Sequence, residues 1–454
     1  MTGLRELARL AVEAACAAGA DAADAVGVES DSLETRVRGE EIDFVKQARE
    51  HALGIRALVR GRAGTRQAIT STRDLSDDAI RAMARDAVSL ARATAEDPAA
   101  GLPEGGFADP EALPELALAD PADRDAGVDA RIDAAHRAER AARATDPRIS
   151  NSEGSQASSG FSRFVYANSE GFLGGYEAAS HALFAEPLAV ENGAMQRDYW
   201  MSAARRLADL EPPEAVGRRA AERALRRLGA RRVPTTEVPV IFDPLTAASL
   251  WRQVAGLVSG YAVYRGTSFL SEKLGERVAS ERVCLVDDGL RRGGLGSRPF
   301  DGEGLPTRRT AVIERGRLAS FLLDSYSARK VGGASTGNAT RSAGSPPGVA
   351  PTNLGLEPGD ATLEEIIADT PRGLLVTELI GMGFNPTTGD YSRGAAGLWI
   401  EDGAIAHPVE EITIAANFAD MLTGIDAVGS DLLWLSRIGS PSVRVAHMTV
   451  AGAE

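Results

Sequence analysis

The amino-acid sequence predicts an α+β protein, with a strand-and-helix N-terminal region followed by a large β-rich C-terminal domain. Three observations carry that reading. Strand-like runs with short polar breaks fill residues 24–70, helical periods flank them, and from Thr236 onward the texture is mostly short strands. With 454 residues there is length for two or three domains with ample core. Composition divides them into an N-terminal α+β subdomain (1–95), a Pro- and acid-rich linker (96–128), a second α+β subdomain (129–232) and a β-rich domain (235–452).

The elements follow in order. Leu4, Leu7, Ala11 and Ala14 form one stripe of a helix over about 4–18, with Gly19 placed to end it. Gly61-Arg62-Ala63-Gly64 is a hairpin turn between strands. Ser76, Asp77 and Asp78 open a second helix whose Ile80, Met83, Ala84, Ala87, Val88 and Ala91 keep the helical period. The linker holds five prolines and is expected to be extended across the surface or partly mobile. A helix over 129–144 follows, then a hairpin turning at Asn168-Ser169-Glu170-Gly171. Asp209, Pro212 and Pro213 open a helix through Leu228.

In the C-terminal domain, strands are expected at Val238–Phe242, Val283–Val286, Arg309–Ile313, Leu318–Leu323, Leu374–Leu379, Leu398–Ile400, Glu411–Ile414 and Val443–Val450. Hairpin turns fall at 314–317 and 401–404, and helices at 245–259 and 362–369. Residues 381–403 (GMGFNPTTGDYSRGAAGLWIEDG) are too rich in glycine for an ordinary helix or central strand. They read as a specialised loop with turns at Asn385-Pro386 and Thr388-Gly389-Asp390.

A net charge of −14 argues against a nucleic-acid partner, which needs a basic face. No apolar run approaches a membrane span, and the start is an amphipathic helix rather than a signal peptide, so a cytoplasmic location is expected. Cys16 and Cys284 lie far apart in apolar patterns and read as buried thiols in a reducing compartment.

Chemistry-bearing motifs are scarce. The five histidines (His51, His136, His181, His407, His447) are at least forty residues apart, and no zinc-spaced pair exists; His407, before Pro408, has the best claim to a role. No phosphate loop stands out. What remains are small- and amide-rich loop motifs: Gly266–Phe269, Ser297–Gly304, Asp324–Lys330, Ser335–Asn338 and 381–403. Glycine-rich loops admit close backbone approach, so these segments are read either as a cleft for polypeptide main chain or as a domain interface.

Those motifs, in this order, resemble the TldD/PmbA proteins, specifically their PmbA (TldE) branch. The matching stretches are GTSFLSEKLGE (266–276), SRPFDGEGLPTRR (297–309), LLDSYSARKVGGASTGNA (322–339), 373–403 and PVEEITIAANFADML (408–422). The resemblance implies a cytoplasmic peptidase system that trims unfolded peptides. In the TldD branch, a helix before the Gly-Thr-Ser element carries His-Glu-x-x-x-His for zinc, and a C-terminal cysteine assists.

Here the three helix positions fall on Trp251, Arg252 and Gly256, and no cysteine lies around Gly439-Ser440-Pro441. Residues 245–265 contain no His, Cys, Asp or Glu, and an arginine serves neither as ligand nor as base at neutral pH. The resemblance therefore implies a subunit without its own cofactor. Zinc is expected in a TldD-like partner subunit, the substrate is an extended or unfolded peptide, and a homodimer is an option in isolation. Asn338, Asn385, Tyr391 and Arg393 are the candidate cleft or interface residues. The alternatives are an independent peptidase or amidase with an unrecognised mechanism, or a peptide-binding regulatory module.

Overall fold

The computed structural model of the chain describes residues 2–452. Helix α1 (Thr2–Ala17) turns Leu4, Ala8, Ala11 and Ala15 inward. It stops just before Gly19, whose φ of 97° suits glycine. Strands β1 (Ala22–Arg38), β2 (Glu41–Arg60) and β3 (Thr65–Thr72) follow, the last two turning at the expected 61–64. Helix α2 (Asp77–Ala93) buries the six residues its period predicts. Ser76 occupies its N-cap without a side-chain bond, so Asp77 and Asp78 at the positive end of the helix do the stabilising. Helix α3 (Val128–Thr145), strands β4 (Ile149–Asn168), β5 (Leu173–Glu191), β6 (Ala194–Arg197) and β7 (Trp200–Ala204), and helix α4 (Pro213–Leu225) complete this half.

β1 pairs antiparallel with β4, from Asp24 opposite Asn168 to Val37 opposite Ser155. The two N-terminal segments thereby share one seven-stranded sheet, ordered β3-β2-β1-β4-β5-β6 with β7 on β5. α1 and α2 bury their apolar stripes on one end of it, and α3 and α4 on the other.

The linker is irregular apart from a single 3-10 turn, Pro121–Arg124, and it is strapped down. Asp97 bridges to Thr65, and Leu102 and Leu116 are buried. Arg329 from the C-terminal domain donates to the carbonyls of Ala99, Gly101 and Leu102 at 3.1–3.2 Å.

The C-terminal half begins with β8 (Thr236–Phe242), α5 (Pro244–Leu257) and α6 (Gly260–Tyr264). Next come β9 (Leu285–Asp288), β10 (Arg309–Glu314), β11 (Arg317–Leu318), α7 (Ser325–Val331), β12 (Ala339–Thr340), β13 (Gly348–Val349) and β14 (Leu354–Leu356). Helix α8 (Leu363–Ala368), β15 (Arg372–Ile380), β16 (Asp390–Glu401), β17 (Ala404–Asn417) and α9 (Phe418–Thr423) follow. β18 (Ile425–Val428), β19 (Leu433–Trp434), β20 (Ile438–Ser440) and β21 (Val443–Ala451) end the chain. One sheet runs β17-β16-β15-β8-β21-β18, and a further β17–β21 pairing closes five of its strands into a ring. A second runs β11-β10-β9-β14-β20-β19. The main core lies between them, with Leu250, Trp251 and Val254 of α5 inside it. The α+β class, with its β-rich C-terminal region, is the one the sequence predicts.

Four local expectations are corrected. β16, drawn from the glycine-rich segment, is an interior strand with β15 and β17 on either side. The strand bulges against β17 between Ala395 and Gly397, and its approach to β15 needs glycine, because a Cβ at Gly397 would lie 2.1 Å from the Leu375 carbonyl oxygen. The strand expected over Leu318–Leu323 shrinks to β11. The chain then leaves the sheet so that Leu322 exchanges hydrogen bonds with Val258 and Gly260. Asp324–Lys330 is mostly helical, started by a capping box of Asp324 and Ser327 and ended by Gly332 at φ 73°. Cys16 is exposed and Cys284 half-buried, both free thiols.

The two halves interlock through a buried charge cluster. Asp24 of β1, fully buried, takes Arg56 of β2 on one oxygen and Arg341, just beyond β12, on the other, both at 2.5 Å. The Tyr166 hydroxyl donates to it at 3.2 Å. Burial alone would raise the Asp24 pKa, but Arg341 and Arg56 outweigh it and the net shift is downward. The approach is close, since a Cβ at Gly54 of β2 would sit 1.6 Å from the Ala343 carbonyl oxygen. Removing Arg341 leaves Asp24 paired with Arg56 but takes the partner from its buried Oδ1. Arg341→Ala is therefore expected to cost about 1–3 kcal/mol, read as a lowered urea midpoint. A midpoint unchanged from the parent would contradict this role.

Candidate functional site

Helix α5 is fixed at its start by Asp243, whose Oδ1 accepts from the Thr246 N–H at 2.9 Å, and by Pro244 in the first turn. Its buried face carries Trp251, and its other face, with Arg252 and Gly256, borders a cleft of about 690 Å³. The opposite wall is Val349–Pro351 and Ser436–Ile438, and α6 with Thr267 forms the rim.

The Trp251 indole N–H donates to Ser440 Oγ at 2.8 Å. The helix and the C-terminal segment, from which a TldD-type site would draw its ligands, are thus bonded to each other through an indole and a hydroxyl. A Cβ at Gly256 would meet nothing within 4 Å, so that position has room but no ligating group. The lining residues offer no imidazole, thiolate or carboxylate. Among the described residues no three His, Cys, Asp or Glu side chains are grouped to hold a metal ion. The residues present do not fit zinc.

The other candidate residues separate. Asn338 is buried: its amide nitrogen donates to Asp287 at 2.7 Å and its amide oxygen accepts from Thr336. Asn385 is exposed and organises its own turn by accepting from the Thr387 N–H. Together with Tyr391 it lines a second, shallower cavity of about 600 Å³. Tyr391 is only 2% exposed, and its hydroxyl has no hydrogen-bond partner among the described residues. Burial raises its pKa to about 12 against the opposing effect of Arg393, which is half-buried beside it. This turn also touches the first cleft's rim, because the Phe269 N–H donates to the Pro386 carbonyl and Thr387 reaches the Thr267 carbonyl. His407 is half-buried on β17, with Nδ1 3.1 Å from its neighbour's carbonyl oxygen.

Two clusters escaped the sequence. The β4–β5 register places Ser159 directly opposite His181. Their side chains meet at 2.8 Å, and His181 Nε2 lies 3.2 Å from Asp123. The order Ser-His-Asp invites a nucleophile, but Ser159 is 4% exposed and accepts from Arg131 as well. Burial lowers the His181 pKa despite Asp123, keeping the imidazole neutral. We read this line as an interior brace.

The second cluster lies in the Ser297–Gly304 loop. Asp301 accepts the backbone N–H groups of Glu303, Leu305 and Ala339. Glu303, fully buried, accepts from the Ser325 N–H through one oxygen, while the other has no partner. Burial and then Asp301 raise the Glu303 pKa to about 7.

The class these features define is a three-part α+β chain with a helix-bordered cleft in its β-rich domain. Comparison with known proteins supplies the family. The chain belongs to the PmbA/TldA metallopeptidase family, whose domain 1 matches residues 23–91, central domain 121–228 and C-terminal domain 235–452. It is 38% identical to Metalloprotease PmbA of Escherichia coli over 95% of this chain and 92% of that one. A PmbA homologue of Haemophilus influenzae is 36% identical over 99% and 96%. A TldD homologue of Buchnera aphidicola matches at 27% over 57% of this chain. A solved structure from Bacteroides thetaiotaomicron, described as a candidate modulator of DNA gyrase, superposes with a TM-score of 0.88 at 28% identity, covering 99% and 98% of the two chains. TldE from Thermococcus kodakarensis shares the fold, with a TM-score of 0.86 at 23% identity over 99% and 100%. Among the described residues no helix is long and apolar enough to cross a membrane.

Two outcomes follow from this geometry. Gly256→Ala fits an open helical position and is expected to raise stability by about 0.5–1 kcal/mol, measured by denaturant unfolding. Glu303 binds its proton more tightly folded than unfolded, so its contribution is greatest below its ordinary 4.5 and is lost as pH rises through about 7. The melting temperature of Glu303→Gln should therefore gain on the parent between pH 5 and 8. Parallel pH curves would show that Glu303 carries no such shift.

Proposed function

We propose that the chain is the non-catalytic subunit of a two-chain, cytoplasmic zinc peptidase acting on extended or unfolded peptides. In this reading a TldD-like partner subunit supplies the zinc, and this chain forms wall and substrate confinement. The observation that carries it is the cleft-bordering helix, where Trp251, Arg252 and Gly256 stand at the motif positions and the Trp251 indole is bonded to Ser440. An arginine cannot act as general base near neutral pH, and neither an indole nor a glycine ligates zinc. The near-full-length likeness to PmbA proteins, against the partial one to a TldD homologue, supports the same assignment.

Elemental analysis of the purified chain should find well under one zinc per chain, and unfolded peptide should survive incubation with it. Adding the TldD-like subunit of the same cell should produce cleavage that a zinc chelator stops. One tightly held zinc per chain, or hydrolysis by the chain alone, would refute the proposal.

A further inference from the structure

The cleft beside α5 is electrostatically odd for so acidic a chain. Arg252, Arg265 and Arg437 all line it, and among the described residues none of the three forms a salt bridge. Arg265 lies over the rings of Tyr261 and Tyr264, at 5.6 and 5.4 Å, and its Nε donates to the Tyr264 hydroxyl at 3.1 Å. Those contacts orient the guanidinium without neutralising it.

Two carboxylates stand behind the wall and are occupied elsewhere. Asp324 starts α7 and accepts from Tyr261, while Asp287 accepts from Asn338 and from the Thr352 N–H. Burial and the neighbouring Arg298 push the Arg437 pKa down, outweighing the opposing pull of Asp287, with which it forms no salt bridge.

The remaining surface suits a peptide. Ser259, Thr267 and Ser436 add hydroxyls, and Ala262, Val349 and Ile438 add apolar wall. Val349 belongs to β13, for which β12 is the strand partner among the described residues. The volume is within the range that holds a few residues of ligand.

We propose that this cleft is a carboxylate-binding subsite for peptide, in which Arg252, Arg265 and Arg437 receive a chain-terminal α-carboxylate or an acidic side chain. Arginine forks match a planar carboxylate with paired hydrogen bonds, which gives direction as well as attraction. The inference rests on the peptide-handling role above and adds which end or side chain of the peptide the subunit holds.

The test uses the full chain and a fluorescent hexapeptide in three forms: free acid, C-terminal amide, and amide with an internal glutamate. Anisotropy should show the amide binding at least about tenfold more weakly than the free acid, the scale of a lost charge-assisted pair. Arg252→Gln combined with Arg437→Gln should erase that difference while leaving the melting temperature near the parent's. Recovery of affinity by the glutamate form would assign the site to any carboxylate; no recovery would assign it to the chain terminus. Equal binding of acid and amide overturns the proposal, as does displacement by inorganic phosphate with no preference between the two peptides. Because the readout is binding to this chain alone, such a failure is separate from any failure of partner-dependent cleavage.

Discussion

A fully buried carboxylate from the first strand, held between an arginine of its own sheet and one from the C-terminal domain, is the constraint on which the rest of the molecule turns. Each Asp24 oxygen has its own arginine, one from β2 and one from the segment after β12, so β1, β2 and that segment must meet to satisfy both. The bare backbone of Gly54 lets the Ala343 carbonyl close over the same spot. Arg329 then fixes the proline-rich linker to the C-terminal domain by its carbonyls. The cleft inherits rigidity from this arrangement, because α7, which carries Arg329, also supplies the Asp324 that anchors Tyr261 in the cleft wall.

The motif region shows how one set of residues can mark lineage and do structural work. Asp301 and Glu303 sit in a loop that reads as a ligand-binding segment, yet both point inward and organise backbone. Burial raises both carboxyls, but Asp301, with three N–H donors, only to about 6, whereas Glu303, with one, reaches about 7 and is the better proton holder. The Asn385 turn does its work at the edge, bracing the Gly266–Phe269 segment that rims the cleft.

Much of this was legible before the structure. The stripe of α2, the turns at 61–64 and 168–171, and the substitution of every metal-motif position on α5 are all local in sequence. Local chemistry decides them. What was not legible depends on distant partners. The interior position of β16 follows from a bulge against β17 and the close approach of Gly397 to β15, and Asn338 looked like a cleft residue because its burial depends on Asp287, fifty-one residues upstream. The Ser159–His181 contact needs the register of a long hairpin. The arginine cleft draws its members from residues 252, 265 and 437, which no motif scan would group.

The pairing of β1 with β4 also governs how the chain can come into being. More than a hundred residues separate the two strands, so the edge of β1 stays open while the linker and α3 are being made. An open edge of that length invites other chains during synthesis. Strand β1 carries Glu29, Asp31, Glu34 and Arg36 along its outer half, and such charges discourage stray pairing until β4 appears. Even then Asp24 lacks its second cation until residue 341 has left the ribosome. The first strand made is thus among the last to reach its final environment.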